Sequence, residues 1–290
     1  MKILLLGKNG QVGFELHRTL SPLGPITGPD REELDLSDQQ AVADCLEKVK
    51  PELIVNAAAY TAVDAAEEHQ QAAKRLNADL PSQLAEYAKA NSARLVHYSS
   101  DYVYPGNGTE PWQEISPTGP LSVYGRTKLE GDKAIQNSGA DYLILRTSWV
   151  YSARGNNFMK TMLRLAQSKE ELSIVADQVG APTPARLIAQ VTALAIHGQL
   201  KTGLYHLAPR GGTSWHGFAQ EIFRQAQQAG ETLSLGPDNA RAIPTSDYPT
   251  PAKRPLNSRM ALSKLENTLN IRLPDWQSQL TLTLNEYLEK

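Results

Sequence analysis

The chain has 290 residues, 41% of them hydrophobic, enough to bury a large core without a metal or disulfide to hold it together. Its formal net charge of -2, with acidic and basic residues interleaved, excludes a polycationic face for nucleic acid and leaves room only for a basic pocket holding a small anion. One cysteine, Cys45, excludes an internal disulfide, fits a reducing compartment and reads as a small buried apolar side chain.

The first apolar run, Ile3 to Leu6, is cut at once by Gly7-Lys8-Asn9-Gly10, so it is too short for a signal peptide or a membrane span. A cytoplasmic protein without a membrane partner is therefore expected. Residues 2–6, 26–28, 53–56, 94–99 and 142–146 read as β-strands, each separated from the next by enough chain for a crossover helix. Ser37 with Gln40 spells a capping box before a helix over 41–50, which Pro51 stops. The alanine-rich stretch 73–91 is periodic and predicts one outer helix, and another begins after Pro120 and runs toward Gly139. Beyond Trp149 the pattern loosens. Helices are expected over 157–167, 186–197, 215–228 and 275–287, with short strands at 172–175 and 204–207, while the proline-rich segments 182–184 and 244–255 read as ordered loops. The alternation predicts an α/β fold: a Rossmann-type doubly wound parallel sheet in residues 1–150, and a smaller mixed α/β substrate-binding lobe in 151–290, with some later segments returning to the first unit.

Gly7-Lys8-Asn9-Gly10-Gln11-Val12-Gly13 follows the first strand and opens a helix with Val12, Leu16 and Leu20 on one side. Glycines in this context let the chain turn, let a pyrophosphate approach the backbone and let the helix pack on the strand, while the helix N-terminus favours the anion. The spacing is G-x-x-G-x-x-G, and three glycines also occur in ordinary turns. The second strand should end near Asp30-Arg31, where an acidic side chain suits ribose hydroxyls and a basic one a 2′-phosphate, so both NADPH and NADH stay open as cofactors.

Tyr124 and Lys128 stand four residues apart, on one face if their segment is helical. An unperturbed phenol has a pKa of about 10, and a neighbouring ammonium is the device expected to bring it toward working pH. Ser99-Ser100-Asp101-Tyr102 ends the fourth strand, where sites in open α/β sheets lie, so Ser100 is placed to bond a carbonyl oxygen beside Tyr124. The six histidines are scattered without ligand spacing, and no catalytic metal is expected.

Taken in order, residues 4–13, Asn56-Ala-Ala-Ala-Tyr-Thr-Ala-Val-Asp64, His97-Tyr-Ser-Ser-Asp-Tyr-Val-Tyr104, Val123-Tyr-Gly-Arg-Thr-Lys128, Arg146-Thr-Ser-Trp-Val-Tyr151, Asn156-Asn-Phe158, Asp177-Gln-Val-Gly-Ala-Pro-Thr183 and Pro251-Ala-Lys-Arg-Pro255 resemble the extended short-chain dehydrogenase/reductase superfamily. Within it they resemble the dTDP-4-dehydrorhamnose reductase family. That resemblance implies NAD(P)H-dependent reduction of the C4 keto group of dTDP-4-dehydro-6-deoxy-L-mannose to dTDP-L-rhamnose. It implies dinucleotide contacts from Gly10, Gln11, Val12, Asp30, Asp35, Leu36, Ala59, Tyr60, Thr61, Tyr98 and Lys128, and sugar contacts from Ser100, Asp101, Tyr124 and Trp149. Tyr102 is a further candidate wall of the sugar pocket, and Arg254 and Asn157 are candidates for the nucleotide phosphates. Ser100 stands where the family usually has threonine, which keeps the hydroxyl. Some relatives join two subunits through a divalent ion and an acidic residue just after the G-A-P-T segment. Here that stretch is Pro184-Ala185-Arg186, so a metal-linked dimer is not expected and the chain is read as a monomer or homodimer. Two alternatives stay open: a sister reductase, epimerase or dehydratase of nucleotide sugars, and a non-catalytic regulatory subunit like that of methionine adenosyltransferase.

Overall fold

The computed structural model describes residues 1–289. In chain order its main elements are β1 (Ile3–Leu6), α1 (Gln11–Thr19), β2 (Ile26–Thr27), α2 (Gln39–Val49), β3 (Leu53–Asn56), α3 (Leu80–Asn91), β4 (Arg94–Ser100), α4 (Val123–Asn137), β5 (Asp141–Thr147), α5 (Phe158–Ala166), α6 (Ala185–His197), β6 (Gly203–His206), α7 (Trp215–Gln228) and α8 (Trp276–Tyr287). All six strands run parallel in one sheet, in the order β6-β5-β4-β3-β1-β2. β1 and β3 are buried along their whole length because helices cover both faces, which is why they read as unbroken apolar runs and not as alternating ones.

Alternate strand residues feed two cores. Leu5, Val55, Val96 and Leu145 pack on Leu16 of α1, on Leu20 at its C-terminal cap, and on Ile188 and Val191 of α6. Leu4, Ile54, Leu95 and Ile144 face the other way, against Val42 and Leu46 of α2 and Leu84 and Ala88 of α3. Each such leucine, fully buried, contributes roughly 1.5–3 kcal/mol of transfer free energy. A third core holds Met159 of α5, Phe218 and Phe223 of α7 and Trp276 and Leu280 of α8.

The structure corrects several expectations. Asp38, not Ser37, caps α2, accepting the N–H groups of Gln40 and Ala41 at 2.8 and 3.0 Å; Ser37 instead bonds Asp35. The helix expected over 73–91 is interrupted by a π turn at Arg75–Asp79. The strand expected at 204–207 in the second lobe is β6, at the edge of the main sheet beside β5. Cys45 is half-buried against the α2 core. Its position on α2 lies beside the inward stripe of Val42 and Leu46, one step toward solvent. Among the described residues, no helix is long and apolar enough to cross a membrane.

Candidate active site

The strand order reverses between β1 and β3, and their carboxyl ends open a crevice there. Gly7 leaves β1 with φ +83°, a left-handed conformation that costs glycine little. Its carbonyl oxygen accepts the Gly10 N–H at 3.0 Å, and Gly13 lies so close that a Cβ there would stand 1.9 Å from that oxygen. Gly10 forms the N-cap of α1 with no side chain capping the first turn. The N–H groups at Gln11, Val12 and Gly13 and the positive end of the helix dipole are thus left for an anion, and this cradle fits a dinucleotide pyrophosphate.

At the end of β2, the Asp30 carboxylate takes the N–H groups of Glu32 and Glu33 at 3.0 and 3.1 Å. Lys8 reaches across from the glycine loop to within 3.8 Å of Asp30 and 3.4 Å of Glu33, so acid and base meet where the ribose-binding residues were expected. Arg31 is exposed. Asp35 accepts both the hydroxyl and the N–H of Ser37, which hold its carboxyl below the usual range, and Leu36 leans on the α2 core.

Ala59, Tyr60 and Thr61 follow β3, and a residue that no motif marked fixes the backbone of Tyr60. Asn77, fully buried in the π turn, accepts the Tyr60 N–H at 2.9 Å and donates to the Tyr60 carbonyl at 3.1 Å and to the Thr127 hydroxyl at 3.2 Å. The π turn thereby ties the β3 exit to α4, and such bulges recur at functional sites. No local pattern marks it.

Ser122 caps α4, accepting the Gly125 N–H at 3.2 Å. Gly125 lets α4 press on the backbone of Tyr102, since a Cβ there would lie 2.3 Å from the Tyr102 carbonyl. The result brings together the residues named at the strand end. Tyr102 and Tyr124 meet edge to face at 5.5 Å; Ser100 donates to Asp101 at 3.1 Å, accepts the Tyr102 N–H at 3.2 Å, and favours the Tyr124 phenolate. Arg254 arrives from the proline-rich segment and donates to the Tyr102 hydroxyl at 3.3 Å and to Asp64 at 2.8 Å. Asp64 was visible only as the end of a motif. Burial pushes the buried Asp101 carboxyl up to about 6, with the Ser258 and Ser100 hydroxyls pulling the other way.

The groups that act most on Tyr124 do not include Lys128. Burial pushes the Tyr124 phenol well above its ordinary value, with Ser100 opposing, while Lys128 Nζ turns to the Tyr98 carbonyl at 2.6 Å and to His97 at 3.3 Å. Burial in turn pushes Lys128 down to about 8, against the charge of Asp132 one helical turn on. Desolvation penalises whichever form carries charge, so it raises a phenol and lowers an amine in the same cavity. Tyr98 itself points its hydroxyl at Thr192 on α6.

Trp149 holds a left-handed backbone, φ 49°, a strain of about 1–3 kcal/mol that surrounding contacts must offset. Its ring stacks on Trp215 at 3.7 Å, and Trp215 donates to Gln178 at 3.1 Å. Asn157 lies with the glycine loop, not with Arg254. Its amide donates to Gln11 at 2.9 Å and to the Ser152 carbonyl at 2.7 Å, and its oxygen caps α5 through Lys160. Those bonds occupy the groups expected for a nucleotide phosphate. Arg186 pairs with Glu286 at 2.8 Å and Glu15 at 3.8 Å, and among the described residues no group of three or more His, Cys, Asp or Glu converges on a metal position.

The family model described as the RmlD substrate binding domain matches residues 1–289. The chain is 49% identical over 294 residues to the dTDP-4-dehydrorhamnose reductase of Shigella flexneri, covering 99% of this chain and 98% of that one. Among solved structures, the dTDP-4-dehydrorhamnose reductase of Clostridium acetobutylicum is 36% identical with a TM-score of 0.93, each chain covered in full. That of Bacillus anthracis, in complex with NADP, is 33% identical with a TM-score of 0.90, covering 98% of this chain and 99% of that one. The chain belongs to the dTDP-4-dehydrorhamnose reductase family.

Proposed function

We propose that this protein reduces the C4 keto group of dTDP-4-dehydro-6-deoxy-L-mannose to dTDP-L-rhamnose with NADPH or NADH, in the cytoplasm, as a monomer or homodimer. The observation that carries this reading is the cluster of Ser100, Tyr102, Tyr124 and Arg254 beyond β4, with Lys128 one turn along the same helix from Tyr124. The uncapped start of α1 and its glycine contact are the cradle for the dinucleotide, which when bound supplies the hydride.

Ser100 holds the carbonyl oxygen, and Tyr124 donates the proton to it as charge develops. The raised pKa of the buried phenol keeps it protonated until that moment. Lys128 then stabilises the phenolate, which in this desolvated place needs a compensating charge. Arg254, held by Asp64, faces the nucleotide part of the substrate, and Trp149 together with Trp215 and other residues of 151–290 supplies most of the remaining grip, so that remote binding energy orients the reacting carbon. Simple reduction is favoured over elimination because Tyr102 follows Asp101 where a dehydratase needs a second carboxylate.

Tyr124→Phe should lower kcat by roughly 100- to 10,000-fold, the share of general acid catalysis, and leave dinucleotide affinity nearly unchanged. Full activity in that variant would contradict the assignment. Oxidised cofactor should appear in step with reduced sugar; a sugar product formed without it would point to an epimerase or dehydratase.

A further inference from the structure

The phenolate left by Tyr124 needs a cation, so whatever fixes the charge of Lys128 bears on the chemistry. Behind Lys128 lies a fully enclosed chain of polar groups from β4 and β3: Lys128 Nζ is 3.3 Å from His97 Nε2, and His97 Nδ1 is 3.2 Å from Asn56 Nδ2. Asn56, His97 and Lys128 are 1%, 0% and 2% exposed.

Counting donors and acceptors assigns each atom a role. Asn56 Oδ1 accepts the Ala58 N–H at 3.2 Å, so its amide nitrogen is the atom that faces His97, and it can only donate. His97 Nδ1 must then be the acceptor. Burial holds His97 neutral, so in this arrangement its one proton sits on Nε2, aimed at Lys128. An N–H facing an ammonium is repulsive, whereas an N–H facing an amine lone pair is a hydrogen bond. Lys128 already donates to the Tyr98 carbonyl at 2.6 Å, leaving its lone pair for His97. The charged form needs the opposite arrangement: Nε2 accepting, Nδ1 protonated and the Asn56 amide turned over, which breaks the bond to Ala58.

We propose that the tautomer of His97, selected by the Asn56 amide, decides whether Lys128 stands as an amine or as an ammonium. His97 is thus a positioning residue that acts through Lys128. The charged and titratable groups around the pair are few. Asp132 and Tyr124 lie on α4 with Lys128, and among the described residues Asp132 is the carboxylate whose charge reaches it. Ala58 lies against the glycine loop, close enough that a Cβ on Gly7 would stand 2.8 Å from its nitrogen. The Asn56 switch therefore sits at the floor of the dinucleotide cradle.

The meaning of this switch rests on the reading of Lys128 as the cation beside Tyr124, but its test does not need turnover. The imidazole nitrogens of His97 in the 15N-labelled full-length protein, assigned through bonds and followed by NMR across the titration of Lys128 near pH 8, should report an Nε2–H ring with a bare Nδ1 on the alkaline side, where Lys128 is an amine, and an Nδ1–H ring on the acid side, where it is an ammonium. A ring that keeps one tautomer on both sides of that titration, or an imidazolium, would overturn the proposal even if the enzyme is a reductase. A reductase assay without product would instead sink the functional reading and leave the tautomer standing. His97→Gln supplies a second measurement. Glutamine can turn its oxygen to Lys128 without a tautomer change, so the alkaline limb of the kcat profile should move up by about one pH unit, toward the unperturbed lysine value. A purely structural role predicts a lower melting temperature and a profile of unchanged shape, and that result would also refute the proposal.

Discussion

Replacing Arg146 by methionine tests whether the rim of the sheet is held by one buried ion pair. Arg146 on β5 donates through Nε and Nη2 to the same oxygen of Asp132, at 3.0 and 2.9 Å, and through Nη1 to the Tyr104 hydroxyl at 2.7 Å. Its side chain and that of Asp132 are 3% and 0% exposed. Ser99 also donates to that oxygen at 2.9 Å, while the other Asp132 oxygen is buried without a partner. Without the guanidinium, a carboxylate with one remaining hydrogen bond is left in the interior. Breaking a buried pair in this way costs roughly 3–5 kcal/mol, out of a total stability on the order of 5–15 kcal/mol. In a chain of this size each kcal/mol lowers Tm by about 2–4 °C, so a fall on the order of 10 °C is expected. Removing both charges, Arg146→Met with Asp132→Leu, should restore most of it, because two apolar side chains need no partners. Urea unfolding of the four proteins closes a double-mutant cycle with a coupling of about 3 kcal/mol. The reasoning fails if the single Arg146 variant stays within about 1 kcal/mol of the parent, or if the double variant loses the sum of the two singles.

Gly13→Ala would place a Cβ 1.9 Å from the Gly7 carbonyl oxygen, both on backbone that cannot swing away. Calorimetry should show NADPH binding weakened by about tenfold or more, with about 1–3 kcal/mol lost from stability. Gly10→Ala, whose Cβ would stand 3.4 Å from that oxygen, should be spared the stability loss, and equal effects at the two glycines would refute the close-approach argument. For Asp101, burial raises the carboxyl from an ordinary 3.8 to about 6, so between those values the folded protein keeps a proton that the unfolded chain has released. Its contribution is complete below about pH 3.8 and is lost as pH rises through about 6, on the order of 3 kcal/mol. Asp101→Asn should remove that part of the pH dependence, read from urea midpoints at about pH 4 and about pH 7, and parallel profiles for the two proteins would show Asp101 to be ordinary.

What could be read from the sequence was local. Strands at 53–56 and 94–99 follow from apolar runs bounded by turns, and α4 from its start after Pro120 and the spacing of Tyr124 and Lys128, because helix and strand periods act over a few residues. The glycine loop was legible for the same reason: strand, turn and helix start are neighbours along the chain. Contacts between distant segments were not. Asn77 holding Tyr60 and Thr127, Arg254 reaching Asp64 across 190 positions, and Asn157 turning to Gln11 depend on how whole elements dock. The largest difference is electrical. The sequence by itself determined that a phenol and an amine share a helical face, but only the tertiary structure decided how each is desolvated and whom each faces. Desolvation raises Tyr124 and lowers Lys128 because packed strands and helices seal Lys128 completely and cover Tyr124 in part, an environment no spacing of residues encodes.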